Sequence, residues 1–408
     1  MISANLECLQ NGNPAVAETS DLRFGTQTRW RLDHRSISDV GGRLAAAQCD
    51  LASAVETALT SPTDFPSWDT AIVAGDKVVL IADPAAPQID EVVGRVAEWF
   101  LAQSVSAENL AVVVGHSGDE AAEAIRARLT SSGVNINVQL HDPDDTDQIS
   151  YLAADTSADA IYLNRLVVDA DVVLPIGCAR SNSALDGLGC FGTFPILSDR
   201  DTRAKFYRLD QLRTDGGRAA LRDAASQAAW WLGVMAAMQV LPGGEGQVAG
   251  ITSGILETSS AAVQTQFDQD WKTSDELSDL VIALVDGDAA EQSWLSVARA
   301  VFRATRNAKP GGSIVVCTEL ADLPGKALRR LGSHTKSQSD IENQIRKSRE
   351  DDAIAAAVLL DATEDYHVYL ASRLRRDTVE RLRMGVIESE EQLQRLAGSL
   401  ASCAIIRS

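Results

Sequence analysis

From Asp76 onward, short runs rich in valine and isoleucine alternate with longer amphipathic stretches, and no other feature constrains the fold as strongly. Parallel strands need a crossover of a dozen or more residues to return to the same edge, so strand-length apolar runs separated by helix-length segments are the pattern of βαβ units. Residues 77–83 (KVVLIAD) read as a buried parallel strand, and residues 87–105 as its crossover helix, with Val92, Val96 and Trp99 on one face. Residues 110–115 are the next strand, 119–129 the next helix, and 134–140 a further strand running out at His141-Asp142-Pro143. Residues 160–163 and 171–176 frame a short connection.

Between 177 and 201 the texture changes to Gly, Ser, Asn and Asp, which predicts a long loop at the carboxyl end of a parallel strand, a common place for a functional loop. Residues 219–240 are a strongly apolar helix-plus-strand region, 242–246 a turn, 247–251 a strand and 261–271 a helix. Polar residues over 272–278 then mark a boundary. A second series follows, with strands at 280–285, 313–317, 368–371 and 404–407 and helices at 293–307, between 339 and 362, and at 390–400. The expected fold is α/β, two domains with Rossmann-like parallel sheets: a larger N-terminal domain, 1–275, and a smaller C-terminal domain, 276–408.

A chain of 408 residues exceeds what one core usually serves, which agrees with that division. Its formal net charge of −20 argues against nucleic acid as a partner, since such binding rests on Lys and Arg contacts to phosphate. Cys8, Cys49, Cys178, Cys190, Cys317 and Cys403 are scattered without a C-x-x-C pair, which favours reduced thiols over a disulfide framework. The first residues lack a secretory signal's basic start and apolar run, and no run is long enough to span a membrane. The expectation is a cytoplasmic protein with a small-molecule partner, no membrane partner, and homo-oligomerisation left open.

Several segments, in order, resemble the lactate racemase family. Residues 76–87 (DKVVLIADPAAP) are similar to that family's first strand and its S-D-x-T-R-P-like end. Gly115-His116-Ser117-Gly118 resembles its G-x-H-R-P turn, His141-Asp142-Pro143 its H-D-x motif, and residues 163–171 its N-x-x-V-x-x-A-D-L segment. Residues 286–292 (DGDAAEQ) look like a worn G-G-x-P-x-D-Q loop, and 309–314 (KPGGSI) match its E/K-x-G-G-x-I element. The resemblance implies a racemase or epimerase of a small 2-hydroxy acid or sugar acid. It also implies a nickel-pincer nucleotide tethered to a lysine and two opposed histidines, because a hydride lost from one face must return to the other.

The sequence departs from that pattern where the chemistry sits. The family's ligating histidine falls near Asn182 and its tethering lysine near Gly192, and neither side chain can replace the original. The first motif's arginine has become Ala86, a late tryptophan has an aliphatic counterpart near Ile354, no histidine occurs between His141 and His334, and Lys205 is the nearest lysine. His116 and Asp83 remain as catalytic candidates. His116 could be an acid/base group or a turn histidine, and Asp83 could hold a ligand hydroxyl or cap the following helix. His141 reads as structural, fixing a turn. Asn182, Gly187, Gly189 and Gly192 are the cofactor-binding candidates. The last three sit in a G-x-G-x-x-G run that also admits a nicotinamide-dependent oxidoreductase. The resemblance makes Gln292 and Arg299 the substrate-binding candidates, Arg299 standing near a family lysine and reading either as a bidentate carboxylate binder or as a solvated helix charge. A non-catalytic ligand- or partner-binding subunit is the remaining reading, and Cys178 with Cys190 could be metal ligands, a redox pair or buried structural thiols.

Overall fold

The structure is a computed structural model that describes residues 18–40, 49–103, 105–116, 118–154, 159–181, 183–185, 193–206, 208–243, 246–270, 276–289, 291–333 and 336–407. The chain opens with β1 (Glu18–Phe24), β2 (Thr28–His34) and β3 (Ile37–Val40). The first βα series contains β4 (Val78–Ala82), β5 (Leu110–Val114), β6 (Asn137–Leu140), β7 (Ile149–Ala154), β8 (Ala160–Asn164), β9 (Val172–Cys178), β10 (Ala236–Pro242) and β11 (Val248–Ile255). The second contains β12 (Ser278–Leu284), β13 (Ala308–Cys317), β14 (His367–Ala371), β15 (Gly385–Val386) and β16 (Cys403–Arg407).

Two six-stranded sheets carry the fold, in the orders β11-β10-β9-β4-β5-β6 and β15-β14-β13-β12-β16-β3. All their pairings are parallel except β10 with β11. The α/β expectation with two mainly parallel sheets therefore holds. Every residue of β4 and β9 is buried, as befits strands covered on both faces by helices. The helix Ile89–Ala102 buries Val92, Val93, Val96 and Phe100 against one face of the first sheet, with Trp68 beside them.

The N-terminal strands lie where local patterning gave no sign of them. β3 pairs with β16 at the edge of the second sheet, from Ile37 opposite Cys403 to Val40 opposite Ile406. The antiparallel β1-β2 hairpin packs Leu22, Phe24 and Leu32 into the same core as Leu280, Ile282 and Ile405. This segment, which a division at residue 275 groups with the first series, is thus hydrogen-bonded to the second. At the hairpin tip the Gly25 amide donates to the Val285 carbonyl (2.8 Å), which fixes the hairpin to the end of β12.

Most other elements fall where the periodicity put them, with shifted ends. The helix expected at 261–271 is Leu256–Asp270, and the strand expected at 134–140 narrows to β6. No described helix is long and apolar enough to cross a membrane.

Candidate functional site

The carboxyl ends of β4, β9 and β10 face the carboxyl end of β12, the position at which open parallel sheets bind ligands. A cavity of about 190 Å³ lies there. Cys178, Ala179 and Arg180 reach it from β9, Leu284 to Asp286 from β12, and Arg299 and Arg303 from the next helix. That helix, Trp294–Ala304, is fixed at its start: Ser293 accepts from the Ser296 amide (3.2 Å), and the Trp294 indole donates to the Asp322 carbonyl (3.0 Å). Arg299 and Arg303, one turn apart, therefore present their guanidinium groups from a rigid element. Arg23 of β1 and Arg407 of β16 complete a rim that is strongly cationic in a chain of net negative charge.

Asp83 sits at the end of β4, and both of its oxygens are engaged. Oδ1 accepts from the Ala85 amide (3.0 Å), while Oδ2 accepts from the Cys178 amide (3.1 Å) and from Arg180 Nη1 (3.2 Å). Its carboxylate ties two strand ends together and orients an arginine. It does not cap the helix that follows, whose N-cap is Gln88. Gln292 is braced in the same way. Its Oε1 accepts from Thr318 Oγ1 and the Glu319 amide (2.7 Å each), and its Nε2 donates to the Asp286 carbonyl (3.1 Å), joining the loops after β12 and β13.

His116 stands apart from these residues. Its Nε2 meets Asp351 Oδ2 at 3.0 Å, across the contact between the two βα series. Arg200 and Arg203 approach the same carboxylate at 3.4 and 3.5 Å, and Arg200 also grips Asp144 through two bonds of 2.6 and 2.7 Å. Burial alone would push the Asp351 carboxyl up, but the hydrogen bond and charge of His116, with Arg203 and Arg200, hold it down at about 2. Arg200, Arg203 and Asp351 border a second groove of about 360 Å³, whose six arginines are interleaved with as many carboxylates; Ile354 faces this groove. His141 is fully buried. Its Nε2 bonds the Ser198 carbonyl (3.0 Å) and its Nδ1 faces the Asn164 amide (3.3 Å), so the Nε2-H tautomer satisfies both partners. Burial pulls its pKa down to about 4, the state of a neutral structural imidazole.

The residue that sequence reasoning left unweighed is Glu291. It lines the arginine cleft beside Arg299, and it also borders a cavity of about 270 Å³ in front of Pro84 to Asp90, where Ala86 lies. Burial, with Asp288 and Asp286 adding to it and Arg299 and Arg180 opposing, pushes its carboxyl up to about 7. The available signal was the acidic spacing Asp286-x-Asp288-x-x-Glu291 between a strand end and a helix start.

Asn182, Gly187, Gly189 and Gly192, together with Cys190, lie outside the described residues. By sequence the whole connection from β9 to the helix Arg200–Phe206 contains neither lysine nor histidine. Lys205 is exposed on that helix and does not line the cleft. Cys178 is buried, which pushes its thiol up to about 12, so it is a thiol and not a thiolate at neutral pH. No group of three or more His, Cys, Asp or Glu side chains among the described residues could hold a metal ion. Among the described residues, the cleft's donor set of guanidiniums, the Asp286 and Glu291 carboxyls and a protonated thiol does not fit a lysine-tethered, histidine-ligated nickel nucleotide.

Residues 30–182 match the lactate racemase N-terminal domain family. The solved lactate racemase apoprotein from Thermoanaerobacterium thermosaccharolyticum superposes with a TM-score of 0.76 at 15% identity, covering 95% of this chain and 98% of that one. A Thermotoga maritima protein solved by a structural genomics consortium superposes with a TM-score of 0.60 at 11% identity, over 89% of this chain and all of its own. No curated protein matches the sequence. Residues 30–182 thus match a lactate racemase N-terminal domain, and the chain shares the fold of a solved lactate racemase apoprotein along almost its whole length.

Proposed function

We propose that this chain binds a small carboxylate, of the hydroxy-acid or sugar-acid class, in the cleft between its two sheets, and does so without a tethered nickel nucleotide. The observation that carries this reading is the convergence of Arg180, Arg299 and Arg303 on one cavity at the strand ends. Guanidinium groups recognise a carboxylate through paired hydrogen bonds, and partial burial strengthens them. Asp83 supports the arrangement by fixing the Arg180 side chain from behind.

Racemisation by hydride return needs a base on each face of the substrate and a cofactor to hold the hydride. The cleft's described lining contains no imidazole and no lysine, so ligand binding is the reading the geometry favours. The oxidoreductase alternative rests on Gly187, Gly189 and Gly192, which lie outside the described residues.

Two measurements test the proposal together. Lactate and gluconate should raise the melting temperature of the wild-type protein, because a ligand at about 100 times its Kd adds roughly 2.7 kcal/mol to the native state. Arg299→Ala should abolish that shift while folding normally. Protein produced alongside a nickel-pincer biosynthetic system should keep its unmodified mass and carry no stoichiometric nickel. A covalent mass increment with bound nickel would overturn the cofactor-free reading, and melting curves unmoved by either acid would overturn the carboxylate reading.

A further inference from the structure

Resting on the reading of the cleft as a carboxylate site, we propose that Glu291 joins the ligand as a neutral carboxyl: it donates a hydrogen bond to an oxygen of the anion that Arg299 and Arg180 hold, so that a ligand binding where the free carboxyl is ionised brings one proton in with it. Glu291 forms part of the wall of the same 190 Å³ cavity as these arginines, close enough that an ionised carboxylate there would oppose an incoming anion. In its protonated form the same group becomes a donor and removes that repulsion.

The fold builds a seat for this side chain. Gly287 adopts φ +97, and a Cβ at that position would overlap the Glu291 carboxylate, so the loop holds the carboxyl against bare backbone. The charges around it are mixed. Asp286 and Asp288 of its own loop disfavour ionisation, and Asp90 and Glu120 add negative charge across the 270 Å³ cavity. Arg299 of the adjoining helix and Arg180 of the β9 loop favour ionisation, Arg303, Arg23 and Arg407 line the far side, and Cys178 stays a neutral thiol. Burial is the largest influence and leaves the free carboxyl titrating at about 7. A bound anion raises that value further. Affinity is therefore full below the free value and falls about tenfold per pH unit above it, until the value in the complex is reached.

Calorimetric titration of lactate and gluconate at about pH 6 and about pH 8.5, in buffers of different ionisation heat, reads this linkage directly. The wild type is expected to take up close to one proton per ligand at the higher pH and to bind much more weakly there. Glu291→Gln, a permanent neutral mimic, is expected to bind equally at both pH values with no proton uptake. Wild-type binding without proton uptake, or a Gln variant that keeps the pH slope, overturns the proposal while leaving the carboxylate site standing. Absence of binding by either acid at both pH values overturns the carboxylate site itself. Infrared titration of the ligand-free protein gives a separate reading: a protonated-carboxyl stretch near neutral pH that Glu291→Gln removes supports the proposal, and its absence in the wild type overturns it.

Discussion

Asp83 engages three donors from two strand ends, so its carboxylate is a structural tie before it is anything else. Hydrogen bonds to a buried charged group contribute about 1.5–3 kcal/mol each, and their loss leaves Arg180 unguided. Asp83→Ala is expected to lower unfolding stability by about 2 kcal/mol or more in chemical denaturation, and to weaken lactate binding without abolishing it. His141 makes a pH prediction of definite sign. Its folded pKa lies near 4, below the usual 6.5, so the native state resists protonation. The stability it protects is fully present above about pH 6.5 and is lost as pH falls toward the folded value, by roughly 2–3 kcal/mol at pH 4.5. Urea titrations of wild type and His141→Gln at pH 7 and 4.5 check this. The variant keeps a donor for the Ser198 carbonyl and should show a smaller difference between the two conditions.

The N-terminal strands make the clearest case at the level of elements. Leu22, Phe24 and Leu32 are almost fully buried against β12 and β16, and large-to-small changes at such sites typically cost about 2–5 kcal/mol. Leu32→Ala should fall in that range. Deletion of residues 18–40 should leave β16 as a bare edge and the protein aggregated, as sedimentation would reveal. Local patterning could not disclose these strands, because what makes Ile37–Val40 a strand is a partner at Cys403–Arg407, near the other end of the chain. β4, β5, β9 and β12 were legible for the opposite reason: strands buried on both faces appear as continuous apolar runs that need no knowledge of their partners. The site followed the same rule. Arg299 was a candidate through the family resemblance, with a solvated helix charge as its alternative, and it lines the cleft, whereas Glu291 acquires its character from the Gly287 seat and from charges on other elements, none of which shows in the sequence around it. His116 looked like a candidate because it follows a strand end, but its partner Asp351 belongs to the second βα series.

At the scale of the whole molecule, that His116–Asp351 contact joins the two βα series. Asp351 is met by one side chain after β5 and by Arg200 and Arg203 of the helix Arg200–Phe206, while Arg349 beside it pairs with Asp201 at 2.7 Å. The cluster bridges the two series away from the arginine cleft, at a groove where positive and negative side chains already compensate one another. A balanced network of this kind has little to offer a charged ligand, but it can fix the angle between two bodies. The cleft needs that angle, because Arg180 comes from one series and Arg299 from the other. Removing the shared carboxylate should therefore act on binding from a distance. Asp351→Ala is expected to raise amide exchange in residues 110–116 and 349–353, and to weaken lactate binding several-fold with the cleft residues unchanged. Because Asp351 is partly exposed, raised salt should erode the wild-type advantage toward the variant's level. Asp351→Glu, which keeps the charge, should restore most of the affinity. Lactate affinity in Asp351→Ala equal to wild type, with exchange unchanged, would mean that the apolar contacts between the series hold the cleft without help from this cluster.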